Sequence, residues 1–296
     1  MPRQHELSKQ KSSRRSTLSP QYKTKQAAKS LARLSTCLAL TFFSSASGVS
    51  AQRSTTTPFI DQATGIEFQR FFGARTNFGF GIALPATPPA AGAAESFIGQ
   101  LTFPLANGAG WGGFSLTGDM EGPLLMAAWP DGQGNIVSSF RQAFNEDDNP
   151  PEVTGSFALR RIPEATSVNN TFLTYTFLCE GCLAPNLGFG GAGVQATEMG
   201  WALASRAVRN PGSSNGVLGF HNSGFGGFSA NIAAARNVRF NEWAALAEGQ
   251  AVPASAGARA FDETNAAEGS GDDSSGGRGG FDSDDDSGDD SDSDFD

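Results

Sequence analysis

The sequence predicts an all-β protein built as an antiparallel β-sandwich. Three observations carry this. About ten short strand-like runs recur between Gly, Pro, Asn and Asp turns, with no helical pattern between them. The chain has 37 Gly and 24 Phe, which suits turns and packed strands better than long helices. The stretch 52–261 is long enough for one domain with a substantial core.

In order, the strand-like runs are 66–72, 78–84, 96–105, 111–116, 123–129, 135–142, 153–160, 171–178, 200–207 and 224–229. The segment Thr171-Phe-Leu-Thr-Tyr-Thr-Phe177 alternates polar and apolar residues, as a half-buried strand does. Trp129-Pro-Asp-Gly132 reads as a turn, because Pro presets φ and Gly accepts a positive φ. Residues 231–248 form the one helical-looking stretch, expected as a terminal cover.

Charge divides the chain into three parts. Residues 1–51 hold nine basic groups, including all five lysines, against the single acid Glu6. From Asp262 onward, 14 acidic groups face one Arg. The lysine-free, mildly acidic middle is a poor partner for nucleic acid, which requires a basic stripe. No stretch reaches the ~18 apolar residues of a membrane span. A basic run up to Arg33 precedes an apolar stretch, 34–43, and the small residues Val49-Ser50-Ala51. This order predicts a secretory signal segment over 1–51, with an unusually long basic part, and hence an extracellular protein. The globular part is then 52–248. Residues 249–296 are expected to be a disordered acidic tail of Gly, Ser and Asp. Asp282-x-Asp284-x-Asp286 hints at a calcium loop. Its Gly falls late, at 288, and Ser293 stands where a bidentate Glu is needed, so an EF-hand is rejected.

Cys37 leaves with the signal segment, and Cys179-Glu-Gly-Cys182 remains. In an exported chain this pair is expected as a short-loop disulfide pinning the loop after a strand. A structural zinc needs four ligands, and the chain past residue 51 has one histidine and no second CxxC. Leu183 follows the pair, which excludes covalent c-type haem attachment. Asn169-Asn-Thr171 is an N-glycosylation sequon at an expected exposed turn. Gly188-Phe-Gly-Gly-Ala-Gly193 matches GxGxxG literally, but no βαβ pattern surrounds it, so it reads as a flexible Gly loop.

His221 is the single histidine of the expected mature chain. Multi-histidine metal sites are therefore excluded, and a Ser-His-Asp triad would rest on this one residue. Its surroundings are Leu218-Gly-Phe-His221-Asn-Ser-Gly-Phe-Gly-Gly-Phe228. Glycines let a flat ligand approach the backbone, and phenylalanines supply apolar walls. Met120 sits in the turn Thr117-Gly-Asp-Met120-Glu-Gly-Pro123, ahead of an apolar strand. A thioether and an imidazole together form a haem axial pair. By themselves these residues leave an incidental His and a core Met open.

A set of motifs resembles the cytochrome domain of cellobiose dehydrogenase, within the DOMON-like group. They are Phe59-Ile-Asp-Gln-Ala-Thr-Gly-Ile-Glu-Phe68, Phe97-Ile-Gly-Gln100 and Gly110-Trp-Gly-Gly-Phe-Ser-Leu-Thr-Gly-Asp-Met120. Leu124-Leu-Met-Ala-Ala-Trp-Pro-Asp-Gly132, Asn135-Ile-Val-Ser-Ser-Phe-Arg141 and Val168-Asn-Asn-Thr171 follow. Phe177-Leu-Cys-Glu-Gly-Cys182, Gly200-Trp-Ala-Leu-Ala204 and Phe220-His-Asn-Ser-Gly-Phe-Gly-Gly-Phe228 complete the set, in family order.

The resemblance implies an immunoglobulin-like β-sandwich holding one non-covalent haem b. It implies Met120 and His221 as axial ligands of the iron, and Cys179–Cys182 as a disulfide. Two departures stand out. Phe220 replaces the acid that usually precedes the histidine. The stretch after Arg141, Gln142-Ala-Phe-Asn-Glu146, lacks the usual Tyr near a haem propionate.

The implied function is that of a stand-alone, monomeric b-type cytochrome without a flavin domain, passing single electrons and not an enzyme by itself. A flavin dehydrogenase is the implied donor and a copper polysaccharide monooxygenase the implied acceptor. The alternative is a haem-free carbohydrate-binding or interaction module using Trp111, Trp129 or Trp201.

Overall fold

A computed structural model of the protein describes residues 54–191 and 193–268. The expected signal segment and the acidic stretch beyond 268, with its Asp282–Asp286 run, lie outside the described residues.

The chain forms β1 (Thr57–Ile60), β2 (Glu67–Gly73), β3 (Phe78–Pro85), β4 (Glu95–Pro104) and β5 (Trp111–Ser115). It continues through β6 (Leu125–Pro130), β7 (Ile136–Arg141), β8 (Val153–Thr154), β9 (Ala158–Arg161) and β10 (Ser167–Val168). Then come β11 (Phe172–Leu183), β12 (Thr197–Ala204), β13 (Gly224–Ala230), β14 (Arg236–Asn237) and β15 (Arg259–Ala260). Two short helices, α1 (Phe240–Ala244) and α2 (Glu263–Glu268), follow β14 and β15. One sheet runs β1-β2-β3-β4-β11-β10, with β14 beside β3 and β9 beside β11. The other runs β13-β12-β5-β6-β7. β15 and β8 form a separate two-stranded sheet, and all pairings of the named strands are antiparallel apart from β14 against β3 and β15 against β8.

Period-two alternation decides what lies between the sheets. Phe78, Phe80 and Ile82 of β3, Leu101 and Phe103 of β4, and Tyr175 and Phe177 of β11 enter the core. Phe114, Met126, Met199 and Phe228 enter it from the other sheet. Phe80 lies 4.5 Å from Phe114, and Phe114 stacks on Phe177 at 6.2 Å, so aromatic rings join the two layers. Each fully buried Phe contributes about 2–3 kcal/mol of transfer free energy. A Cβ on Gly112 would stand 2.6 Å from the Phe103 ring, so β5 approaches the opposite sheet only as glycine there. One polar link crosses the core: the Tyr175 hydroxyl and Ser138 Oγ on β7 share a hydrogen bond of 2.9 Å.

The two outer faces differ. That of the larger sheet carries Ile66, Phe68, Ile98 and Leu178, and α1 covers it with Phe240 and Trp243. That of the smaller sheet is covered in part, where Trp111 and Trp129 pack with Val208 and Leu218, and is open where Gly113, Ser115, Ala127, Gly200 and Ala202 face outward.

Four details correct the expectations. Only Phe240–Ala244 of 231–248 is helical. Arg236 is committed instead to β14 and to a buried pair with Glu95, at 2.6 and 3.1 Å, and these tertiary contacts override local propensity. The run 153–160 breaks into β8 and β9, because Phe157 turns in to meet Phe140 at 4.8 Å. The Cys179–Cys182 disulfide forms, but inside β11 rather than in a following loop. The register against β4 shifts between Cys179 and Leu183, and Gly181 takes φ +67° in that bulge. Finally, residues 249–268 do not behave as tail: β15 pairs with β8, and Ala266 is buried.

Burial raises the Tyr175 pKa from 10.0 to about 12, opposed in part by Ser138 and Arg161. The unfolded chain, with its phenol near 10, ionises first. The Tyr175 contribution is therefore complete below pH ~10 and is lost as pH rises towards ~12. Urea unfolding should show the wild type losing about 2–3 kcal/mol more than Tyr175→Phe between pH 9 and pH 12.

Candidate functional site

The open face of the smaller sheet is the floor of a groove of about 720 Å³. That volume suits a sizeable organic ligand. The floor exists because outward positions carry little side chain: Gly113 and Ser115 on β5, Ala127 on β6, Gly200 and Ala202 on β12. The walls are loops. Met120 comes from the β5–β6 loop, Glu146 to Pro150 from the loop after β7, and Gly219, Phe220 and His221 from the loop before β13. A second cavity of about 280 Å³, near Arg75 and Ser223, holds neither Met120 nor His221.

The Met120 loop is folded by its own polar residues. Asp119 Oδ1 accepts from the Met120 N–H at 2.7 Å and the Glu121 N–H at 3.2 Å. Ser115 Oγ donates to the Asp119 carbonyl at 2.5 Å, and Thr117 Oγ1 donates to it at 3.2 Å. These bonds present a half-buried Met120 at the groove wall, away from the core expected of an ordinary strand-flanking Met.

The His221 loop is tied on both sides. Trp111 Nε1 donates to the Gly219 carbonyl at 3.1 Å, and Asn222 bonds Ser205 through both ends of its amide, at 3.2 and 3.0 Å. Phe220 and Phe225 lie 4.4 Å from the imidazole and Trp111 stands edge-on at 6.4 Å. Burial lowers the His221 pKa below its ordinary value, opposed in part by the charge of Glu146. At neutral pH the ring is therefore neutral and keeps a lone pair for a metal. Among the described residues its buried Nδ1 has no hydrogen-bond partner outside its own residue.

Arg141 is 1 % exposed and lines the groove. It donates to Ser139 Oγ at 2.6 Å and to the carbonyls of Pro150, Ser214 and Gly216 at 2.9, 2.6 and 2.9 Å. Burial lowers its pKa to about 10, opposed by the charge of Glu152, so it remains a cation at neutral pH. It is the one cationic side chain lining the groove among the described residues, whereas Asp119, Glu146, Asp147, Asp148 and Glu198 line it with negative charge.

The structure thus brings Met120 and His221 to one groove. The other expected sites lie elsewhere. The disulfide belongs to the opposite sheet. Asn169 is exposed before β11, its Oδ1 accepting from the Thr171 N–H, the Thr171 hydroxyl and the Phe172 N–H at 2.8–2.9 Å. Trp111 and Trp129 are buried, and Trp201 packs on Phe78 at 5.1 Å, so none forms an open sugar platform. The small-residue floor and the acidic loop 146–148 went unread as site features. The sequence signal of the floor is the Gly/Ala/Ser at alternate positions of β5 and β12, and that of the loop is the run Glu146-Asp-Asp148.

A neutral imidazole, a thioether, a flat apolar floor and one buried cation fit a flat, anionic, metal-bearing ligand such as haem b. Fold and groove define a β-sandwich of the cytochrome type. Residues 59–242 match the family described as the cytochrome domain of cellobiose dehydrogenase, and the chain belongs to that family. The family's cytochrome domains bind haem b, and membership implies electron transfer.

The solved cytochrome domain of Myriococcum thermophilum cellobiose dehydrogenase is 28% identical, with a TM-score of 0.58 over 68% of this chain and 100% of that one. The cytochrome b domain of pyranose dehydrogenase from Coprinopsis cinerea has the same fold, with 24% identity, a TM-score of 0.56 and coverage of 70% and 100%. A pyrroloquinoline quinone-dependent pyranose dehydrogenase of Coprinopsis cinerea is 29% identical over 150 residues. That match takes in 50% of this chain and 20% of the relative, so the chain spans about a fifth of that protein's length.

Trp111→Phe keeps the ring beside His221 but removes the bond to Gly219. Loss of about 1 kcal/mol there should speed amide exchange at Asn222 and Gly224 about fivefold beyond any change in global unfolding.

Proposed function

We propose that this chain is a secreted b-type cytochrome in which Met120 and His221 hold the haem iron and single electrons pass between partner proteins. The observation that carries this reading is the convergence of those two residues, from loops far apart in sequence, on one groove. Bound haem supplies a one-electron Fe(III)/Fe(II) couple. Met120 and His221 would hold the iron between them, so the bound group would supply electron transfer rather than oxygen chemistry. As a ligand, the Met120 thioether would favour the reduced iron and raise the potential relative to a second imidazole. Arg141, held in place by four oxygen acceptors, balances anionic groups at the groove wall. Phe220 and Phe225, both largely exposed, screen the imidazole from water and offer an apolar edge for electron exit.

The acidic groove lining makes encounter with a partner salt-dependent and favours a cationic partner face. The named relatives oxidise sugars, which supports a sugar-oxidising dehydrogenase as electron donor, bearing flavin or quinone. A copper polysaccharide monooxygenase suits the acceptor. Export through residues 1–51, a glycan on Asn169, the disulfide and a monomeric, stand-alone state belong to the same reading. The acidic tail then begins after α2, beyond residue 268.

Oxidised and dithionite-reduced absorption spectra test the assignment. The wild type should show a six-coordinate b-type spectrum. Met120→Ala should retain haem, lose that spectrum and lower the potential by on the order of 0.1 V, part of the ~0.8 V that axial ligands command. His221→Ala should lose most of the haem. Ala202→Phe, which fills the floor, should fold normally and stay colourless. A wild type that remains colourless after haem addition would sink the proposal.

A further inference from the structure

The segment after α1 returns to the loop that carries Met120. β15 lies along β8, the Phe261 N–H donates to the Thr154 carbonyl at 2.8 Å, and the Phe261 ring meets Phe157 edge-on at 6.0 Å. The chain then reaches Gln142, which is wholly buried. Gln142 Nε2 donates to the carbonyls of Gly122 and Asp262, each at 2.8 Å. Its Oε1 accepts from the Asp262 N–H at 2.9 Å. One side chain therefore bridges the returning segment and the residue two places after Met120.

Gly122 is gripped from the same side. Its N–H donates to the Ala143 carbonyl at 3.0 Å, to which Asn265 Nδ2 also donates at 3.4 Å. Gly122 has φ +89°, and a Cβ there would stand 2.6 Å from the Asn265 carbonyl oxygen. The N-terminal half of the loop is folded by Asp119, whereas its C-terminal half is held by Gln142, Ala143 and α2. Residues 259–268 lie beyond the matched stretch 59–242, and Gln142 does not line the groove.

We propose that residues 259–268 are a strap that acts through Gln142 to hold the Met120 loop, and so set how firmly the thioether stays on the iron. The proposal rests on Met120 being a ligand, and Gln142 is its positioning residue. A loosened loop raises the cost of returning the thioether to the iron, so methionine ligation weakens while His221 still retains the haem.

The test compares the full chain with Gln142→Ala, a chain ending at Ala258, a chain ending at Glu268, and Met120→Ala. Hydrogen exchange of residues 120–122 in the haem-free proteins gives a readout independent of redox behaviour. In Gln142→Ala and the chain ending at Ala258, exchange should be about tenfold faster, the factor that corresponds to about 1.4 kcal/mol of lost local closure. With haem bound, both should keep near-stoichiometric haem, shift their spectra towards that of Met120→Ala and lower the potential. The chain ending at Glu268 should match the full chain. If the Ala258 truncation does not fold, Gln142→Ala decides alone. Full-chain exchange and spectra in Gln142→Ala would overturn the strap while leaving the ligand assignment standing. A Met120→Ala protein with the full-chain spectrum would instead remove the ligand assignment, and the proposal with it.

Discussion

The open outer face of the five-stranded sheet depends on a division of side-chain volume. Strands β5 and β12 place Phe114, Met199 and Leu203 inward while keeping Gly113, Gly200 and Ala202 outward. Glycine and alanine are poor strand formers, and a strand rich in them does not hold its place by propensity. The inward residues compensate by joining an aromatic core that spans both sheets. The core therefore supplies the stability that lets the opposite face remain bare, and the bare face supplies the groove. A bulky residue on the floor would improve burial locally and abolish the space.

The larger sheet solves the opposite problem. Its outer face is covered by α1, and the disulfide, a β-bulge and the Glu95–Arg236 pair sit at its margins. That half is a support for the other. On the groove side, charge is arranged around one buried cation. Arg141 is satisfied by neutral oxygens rather than by a carboxylate hydrogen bond. A cation held in this way keeps much of its charge available to a ligand, whereas a direct carboxylate partner would have neutralised it. Apart from Glu198 on β12, the acids lie on the surrounding loops, so an anionic ligand group is favoured near Arg141.

Period-two patterning made most of the strands legible, because alternation between core and outer face is a local property. That Met120 and His221 line one groove is a long-range fact that spacing alone does not encode, and only motif order pairs them in the sequence. Three features were hidden for the same physical reason. Residues 231–248 look helical, yet Arg236 is drawn to Glu95, which lies far away in sequence. The run 153–160 looks continuous, but Phe157 finds Phe140 and Phe261. Residues 249–268 look like polar tail because the groups that order them, Glu152, Thr154 and Gln142, lie more than a hundred residues upstream. Serine and glycine composition suggests disorder only where no folded partner offers backbone hydrogen bonds.

The two loops that carry the proposed ligands are stiffened by different means, and this bears on what the site can do. The His221 loop is fastened by the Trp111 side chain of its own sheet and by the backbone and hydroxyl of Ser205, just past β12. Met120 is fastened locally by Asp119 and, past Gly122, by a segment that closes over from the end of the domain. A one-electron site works best when its ligands keep one geometry in both oxidation states, so that little of the protein must move when charge changes. Iron–thioether bonding is the weaker partner in such a pair, and a loop with two independent anchors is the stiffer support for it. The buried Gln142 fits that need. A neutral amide there can both donate and accept, which is what binding a loop carbonyl and a strap backbone with one side chain requires.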